Sequence, residues 1–261
     1  MTARAVLFGL GLAFSLGLAA APAAHAGAPI TCFDETPTLS GSGRIEGTPG
    51  DDVIAGSPED DQIDGGEGRD IICGFGGDDS IRDSSGETFV DGGAGDDQIR
   101  LSGSDDNHVF GGTGNDKVTA RPAPGGSNLV VGGDGDDDVS TSTTGGGKNT
   151  LDGGDGNDNL SASAGGPGDG NLIEGGVGND VIKATTKNLG ANIVDAGDGD
   201  DKVTATTGEG GGGNHVEGGA GDDRIKATVK ENGANNVIGG PGQDTCKIKP
   251  DIPLCENVGG S

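Results

Sequence analysis

The chain has 261 residues, 58 of them Gly, with 43 acidic against 16 basic side chains and a formal net charge of −27. Only 2% of its residues are aromatic and 30% are hydrophobic, with no Trp and no Tyr. That balance excludes a conventional globular core of this size, because too little apolar surface is present to offset chain entropy, and the charge excludes nucleic acid as an electrostatic partner.

Residues 1–26 differ from the rest: Arg4 precedes the apolar run VLFGLGLAFSLGLAAA, which ends in Ala24-His25-Ala26. A basic start, a short apolar middle and an A-x-A end predict a secretory signal peptide cleaved before Gly27, not a membrane span. No second apolar run approaches the roughly 20 residues that a membrane helix needs. Residues 27–44 follow as an expected N-terminal cap, and 249–261 as a C-terminal cap or tail. Cys32 and Cys73 lie near one end of the mature chain, Cys246 and Cys255 near the other. An even count in an exported chain suggests disulfides. Three pairings are formally possible; locality favours Cys32–Cys73 and Cys246–Cys255, each stapling a terminal segment over an end of the fold.

Between these ends, residues 45–248 are periodic. Segments such as FGGTGNDKVTA, EGGVGNDVIKA and EGGAGDDRIKA recur, and their second acidic position falls at Asp97, Asp116, Asp137, Asp158, Asp180, Asp201, Asp223 and Asp244. Upstream the unit is tighter, with Asp52, Asp61, Asp70 and Asp79 nine residues apart. A fixed period of this size indicates a solenoid. Two residues after each Asp comes a large apolar residue (Val118, Val139, Leu160, Ile182, Val203, Ile225); four residues after comes a small one (Ala120, Thr141, Ala162, Ala184, Ala205, Ala227). This alternation predicts half-buried strands.

The unit Gly111-Gly112-Thr113-Gly114-Asn115-Asp116-Lys117-Val118-Thr119 resembles the RTX (haemolysin-type) calcium-binding nonapeptide repeat GGxGxDxUx, with U a large apolar residue. The resemblance implies an all-β, right-handed parallel β-roll of about ten coils, with Ca²⁺ in the turns between coils. The twelve aspartates named above are then the expected metal ligands. The residues make sense of this: glycines reach the backbone angles of a tight turn, and Ca²⁺ takes six to eight hard oxygens. About nine ions are expected in the main column, with one more site between Asp52 and Asp70. Nine ions would bring the charge to about −10. The first unit, GSPEDD, departs from the pattern at Ser57 and Glu59, and Phe75 and Ala196 also replace family glycines.

The other side of each coil departs further. After Asp52, Asp70 and Thr88, the equivalent position is Asn107, Asn128, Asn149, Asn171, Asn192, Asn214 and Asn235. A column of amides can pair donor to acceptor from coil to coil, so this edge is expected to be an asparagine ladder without calcium.

Other chemistry fits less well. Gly-rich matches to nucleotide motifs lack a following helix, the acidic runs lack EF-hand spacing, and His108 and His215 fall five coils, roughly 24 Å, apart. With about 18 residues between the cleavage point and the first repeat, a catalytic domain is not expected. The reading is a calcium-binding solenoid, no enzyme, secreted through the general route to the extracellular space, or to a periplasm in a two-membrane cell. Alternatives are an adhesion, matrix or ice-binding rod using its flat face, and an accessory module of an enzyme.

Overall fold

The computed structural model describes residues 31–230 and 233–249. Residues 1–30, 231–232 and 250–261 lie outside it, and with them the expected signal peptide, all of the expected tail but Lys249, and Cys255. Two sheets of eleven strands each run the length of the molecule, and the chain alternates between them, one strand per sheet per coil. All neighbouring strands within each sheet are parallel. This is the expected β-roll, a parallel solenoid of about ten turns.

A single coil shows the logic. Asn128–Asp134 forms a strand of the first sheet, Gly135-Asp136-Asp137 turns the chain, and Asp138–Thr143 forms a strand of the second sheet. A loop, TGGG, then leads to the next first-sheet strand, Lys148–Asp155. Strand register follows the sequence repeat without slippage here: Val118, Val139, Leu160 and Ile182 stack in one column, and Val109, Val130, Leu151 and Ile173 stack in the facing one. Both columns are buried, as is the small-residue column Ala120, Thr141, Ala162, Ala184, Ala205 and Ala227. Side chains alternate inward and outward along each strand, so Lys117, Lys202 and Arg224 face solvent. The core is therefore only two side chains thick. A chain this poor in large apolar residues can build such a core, because each coil contributes few of them and uses its neighbours as walls.

The Cys32–Cys73 disulfide forms as expected, but it staples the segment elsewhere. Cys73 lies on the outward surface of the first sheet, in register with Asp91 and then Phe110. The Cys32–Glu35 turn is consequently laid over the flat face of the roll rather than over its end. Phe33 packs there against Phe89 and Phe110, with ring centroids 6.4 and 6.0 Å away. Phe89 also stacks on His108 at 4.4 Å and lies beneath Arg69 at 4.9 Å. The end itself is formed by two short strands, Leu39–Ser40, within the expected cap, and Arg44–Glu46, which spans its boundary with the repeats. Short edge strands offer little template for pairing with another chain. The second expected disulfide, Cys246–Cys255, involves a residue outside the described ones.

Candidate metal centre

The tight turns gather the aspartates that recur in phase into one buried line. Asp79, Asp97, Asp116, Asp137, Asp158, Asp180, Asp201 and Asp223 are each at most 2% exposed. Along this line the backbone N–H of each Asp donates to Oδ1 of the Asp one coil further on: Asp97 to Asp116, Asp116 to Asp137 and Asp158 to Asp180, at 2.7–2.8 Å. The second carboxylate oxygen has no partner. Oδ2 of Asp79, Asp97, Asp116, Asp137, Asp158, Asp180, Asp201, Asp223 and Asp244 is buried and unsatisfied. A buried carboxylate oxygen left unpaired is costly, and nine in a row call for a common explanation.

The surroundings of these oxygens supply it. A methyl group placed on Gly132, the first glycine of its unit, would collide with Asp137 Oδ2 and come within 2.6 Å of the Gly153 carbonyl oxygen. Gly92, Gly111, Gly153 and Gly218 repeat the arrangement with their own Asp and the first-glycine carbonyl of the next coil. Only glycine leaves this oxygen-lined space open. Among the described residues no three His, Cys, Asp or Glu side chains converge, so the donor set is one carboxylate with backbone carbonyls. Such hard oxygens suit Ca²⁺. Ala196 stands in the place of the first glycine in its unit and is wholly buried, which brings a methyl to the cage of Asp201.

Burial dominates the electrostatics. It pushes the carboxyls of Asp79, Asp116 and Asp137 up to about 7, neighbouring aspartates adding to the effect and the backbone N–H bond opposing it. Asp97, Asp180, Asp201 and Asp223 reach about 6 for the same leading reason. The fold has thus concentrated negative charge that it does not itself neutralise.

Residues 38–72, 46–81, 74–106, 101–121, 141–166, 168–185, 188–209 and 210–229, together more than half of the chain, match the RTX calcium-binding nonapeptide repeat (4 copies). The chain belongs to this family. Searches of curated proteins and of solved structures return no match. As an RTX chain it is a calcium-binding β-roll, and its unpaired oxygens and glycine cages lie where the repeat places its Asp and its first Gly.

Two of the twelve expected ligands differ from the other ten. Asp52 Oδ2 accepts from Thr48 N at 2.6 Å and Thr48 Oγ1 at 2.9 Å, and its Oδ1 from Thr38 Oγ1 at 3.2 Å. Asp61 Oδ2 accepts from Ser57 N at 2.7 Å and Ser57 Oγ at 3.0 Å, and its Oδ1 from Gly43 N. Thr48 and Ser57 stand where later units carry a second glycine, and their hydroxyls satisfy the oxygen that is open elsewhere. Asp70 lies on the opposite edge from the main line; its Oδ1 accepts from Asp52 N at 3.0 Å and its Oδ2 is unpaired.

The opposite edge carries the asparagine ladder. Nδ2 of Asn107, Asn128, Asn149, Asn171, Asn192 and Asn214 each donates to Oδ1 of the next Asn, at 2.6–2.8 Å. The same Nδ2 groups of Asn149, Asn171, Asn192 and Asn214 also donate across the coil, to the carbonyls of Ser163, Thr185, Thr206 and Thr228. The amide column thus satisfies itself, although Asp169 Oδ1 and Thr207 Oγ1 beside it are buried and unpaired.

Sequence reasoning missed a second stitched column. The residue just before each Asp accepts, through its side chain, the backbone N–H of its counterpart one coil later: Asp96 from Asn115, Asn115 from Asp136, Asp136 from Asn157 and Asn157 from Asn179, at 2.7–2.9 Å. These bonds run opposite to those of the buried line, so each pair ties its turn to both neighbours. The signal was present in the near-constant Asp or Asn at that position, broken only at Arg69 and Gln243. Asp83 and Asp169, buried and outside any expected site, were also missed.

Proposed function

We propose that this RTX chain is an exported structural or interaction module that folds when it meets Ca²⁺ outside the cytoplasm. About eight ions would occupy the main line, one in each gap from Asp79 to Asp244, held by Oδ2 of Asp79, Asp97, Asp116, Asp137, Asp158, Asp180, Asp201 and Asp223 with the first-residue carbonyl of the next coil, the Ala196 methyl narrowing the cage of Asp201. Asp52 and Asp61 serve as closed end positions, saturated by hydroxyls. The ion supplies positive charge to a row of buried oxygens that otherwise repel, so its binding energy becomes folding energy. Where Ca²⁺ is scarce the chain stays unfolded and can be exported; outside, it closes into a rod. The unpaired oxygen repeated in register in successive coils is the observation that carries this reading. No catalytic role is part of it.

One feature supports a rod that also presents a surface. Ser142, Ser163, Thr185, Thr206 and Thr228 align in register on the outward side of the second sheet, which suits adhesion, matrix or ice contact through a flat hydroxyl strip.

The test is a far-UV circular dichroism titration with Ca²⁺, starting from chelator, with Mg²⁺ as control. The expected outcome is a cooperative gain of β signal with Ca²⁺ alone. A β spectrum indifferent to chelator would reduce the ions to accessories, and a chain disordered throughout would end the proposal.

A further inference from the structure

On the ladder edge, one unit carries its acid in an unexpected place. Residues 83–88 read Asp-Ser-Ser-Gly-Glu-Thr where the repeat has Gly first and Asp sixth. The acid has moved to the first position and a threonine stands at the sixth. Eighteen residues earlier, the unit beginning at Gly65 keeps the normal order and ends in Asp70. A methyl on Gly65 would lie 2.8 Å from Asp70 Oδ2, and 3.0 and 3.2 Å from Asp83 Cγ and Oδ1. In the main line the corresponding neighbours are the unit's own Asp Oδ2 and the first-glycine carbonyl of the next coil. The Asp83 carboxylate therefore takes the place of that carbonyl.

Both acids are buried, Asp70 at 0% and Asp83 at 2% exposure. Among the described residues neither has a basic partner: Arg82, next in sequence to Asp83, is exposed and bonded to Asp64 at 2.7 Å. Asp83 accepts from Ser84 N at 2.6 Å, from Ser85 N, and from Thr88 Oγ1. These bonds fix its carboxylate beside Asp70 without neutralising it, and Asp70 Oδ2 stays unpaired. Asp83 also borders an open cavity of about 280 Å³, lined otherwise by Asp64, Arg82, Ser84, Arg100 and Ser102. Two adjacent buried carboxylates without a counter-ion are strongly unfavourable, and a hard divalent cation is the ligand such a pair recognises.

We propose that Asp70 and Asp83 hold a cation of the Ca²⁺ class between them, in a site separate from the main line. Asp52, the partner expected from spacing, is already saturated by Thr38 and Thr48. This site closes the ladder edge just before the first asparagine and contains two carboxylates where a main-line cage has one. It rests on the calcium reading for the identity of the ion, but its ligand pair is its own.

Native mass spectrometry in calcium acetate counts the ions on the wild-type chain and on Asp70→Asn, Asp83→Asn and Asp83→Gly/Thr88→Asp. Each amide variant is expected to lose one ion from the wild-type count, and the double variant, which returns the acid to the sixth position, to recover it. Asparagine can still accept from Ser84 N and Ser85 N through Oδ1 and can donate through Nδ2 to Thr88 Oγ1, reversing that bond, so a purely structural Asp83 leaves the count unchanged in Asp83→Asn, overturning the proposal. A wild type without any bound ion would remove both this site and the main line. Should the variants fail to fold, wild-type crystals grown with Tb³⁺ decide: an anomalous peak between Asp70 and Asp83 supports the site, and peaks along the main line without one there overturn it.

Discussion

The two edges of this roll solve the same problem in opposite ways. Each must close a turn every coil and must give buried side chains at that turn something to bond. On the ladder edge, an amide both donates and accepts, so Asn128 bonds to Asn149 and Asn149 to Asn171 with no further help. On the aspartate edge, a carboxylate can only accept. One oxygen is used by the backbone of the preceding coil, as at Asp116 and Asp137, and the other is left open. An edge built of amides is complete when folded; an edge built of carboxylates is complete only when a cation arrives. The difference between a column that pairs with itself and one that leaves an oxygen open for Ca²⁺ is here the difference between NH₂ and O⁻ on otherwise similar side chains.

The largest expected effect is that of pH in chelator, because many carboxylates move together. Burial raises their folded-state pKa to about 7 at Asp79, Asp116 and Asp137 and to about 6 at Asp97, Asp180, Asp201 and Asp223, above the 3.8 of an exposed Asp. The folded state therefore binds protons more tightly than the unfolded one. Ion-free stability is highest below about pH 4 and is lost as pH rises through 6 to 7. Denaturant melts in chelator between pH 4 and 8 should show this fall, while calcium affinity should climb over the same window as protons stop competing. Ion-free stability that increases with pH would contradict the assignment of the buried charge to this edge.

Asn171→Asp would next transplant the chemistry of one edge onto the other. It deletes the donors to Asn192 Oδ1 and the Thr185 carbonyl and buries an unpaired charge, at about 3–5 kcal/mol. The loss should appear in urea melts with chelator and persist in calcium. The converse exchange, Asp158→Asn, should change sign with conditions. In chelator it removes a buried charge and stabilises by about 1–3 kcal/mol; in calcium it removes a ligand and lowers the melting temperature. Equal effects in both media would show that the edges do not differ as described. The smallest effect concerns the turn backbone. Phe75 takes the place of a family glycine with φ of 76° and is exposed. Phe75→Gly should relieve that strain and raise stability by about 1 kcal/mol in calcium-saturated thermal melts.

Much of this was legible in the chain because a solenoid makes distant contacts periodic. Val118 and Val139 are 21 residues apart and meet in the core, and a fixed repeat announces such pairs without any tertiary reasoning. The ladder from Asn107 to Asn235 was visible for the same reason, as was the line of aspartates. What the repeat could not convey is which atoms remain unsatisfied. Asp61 and Asp79 occupy equivalent positions, yet Ser57 saturates one and nothing saturates the other, a distinction that depends on the path of a hydroxyl across a turn. The placement of Cys32 over a flat face was also hidden, since spacing states that two cysteines are near one end but not on which surface Cys73 points. Asp83 lay out of phase with its motif and was not among the expected ligands. Only stacking, which sets the first residue of one coil above the turn of the last, brings its carboxylate to Asp70. Periodic sequence determined the architecture and the rows of aspartates and asparagines; the three-dimensional closure of each turn decided which oxygens are left open.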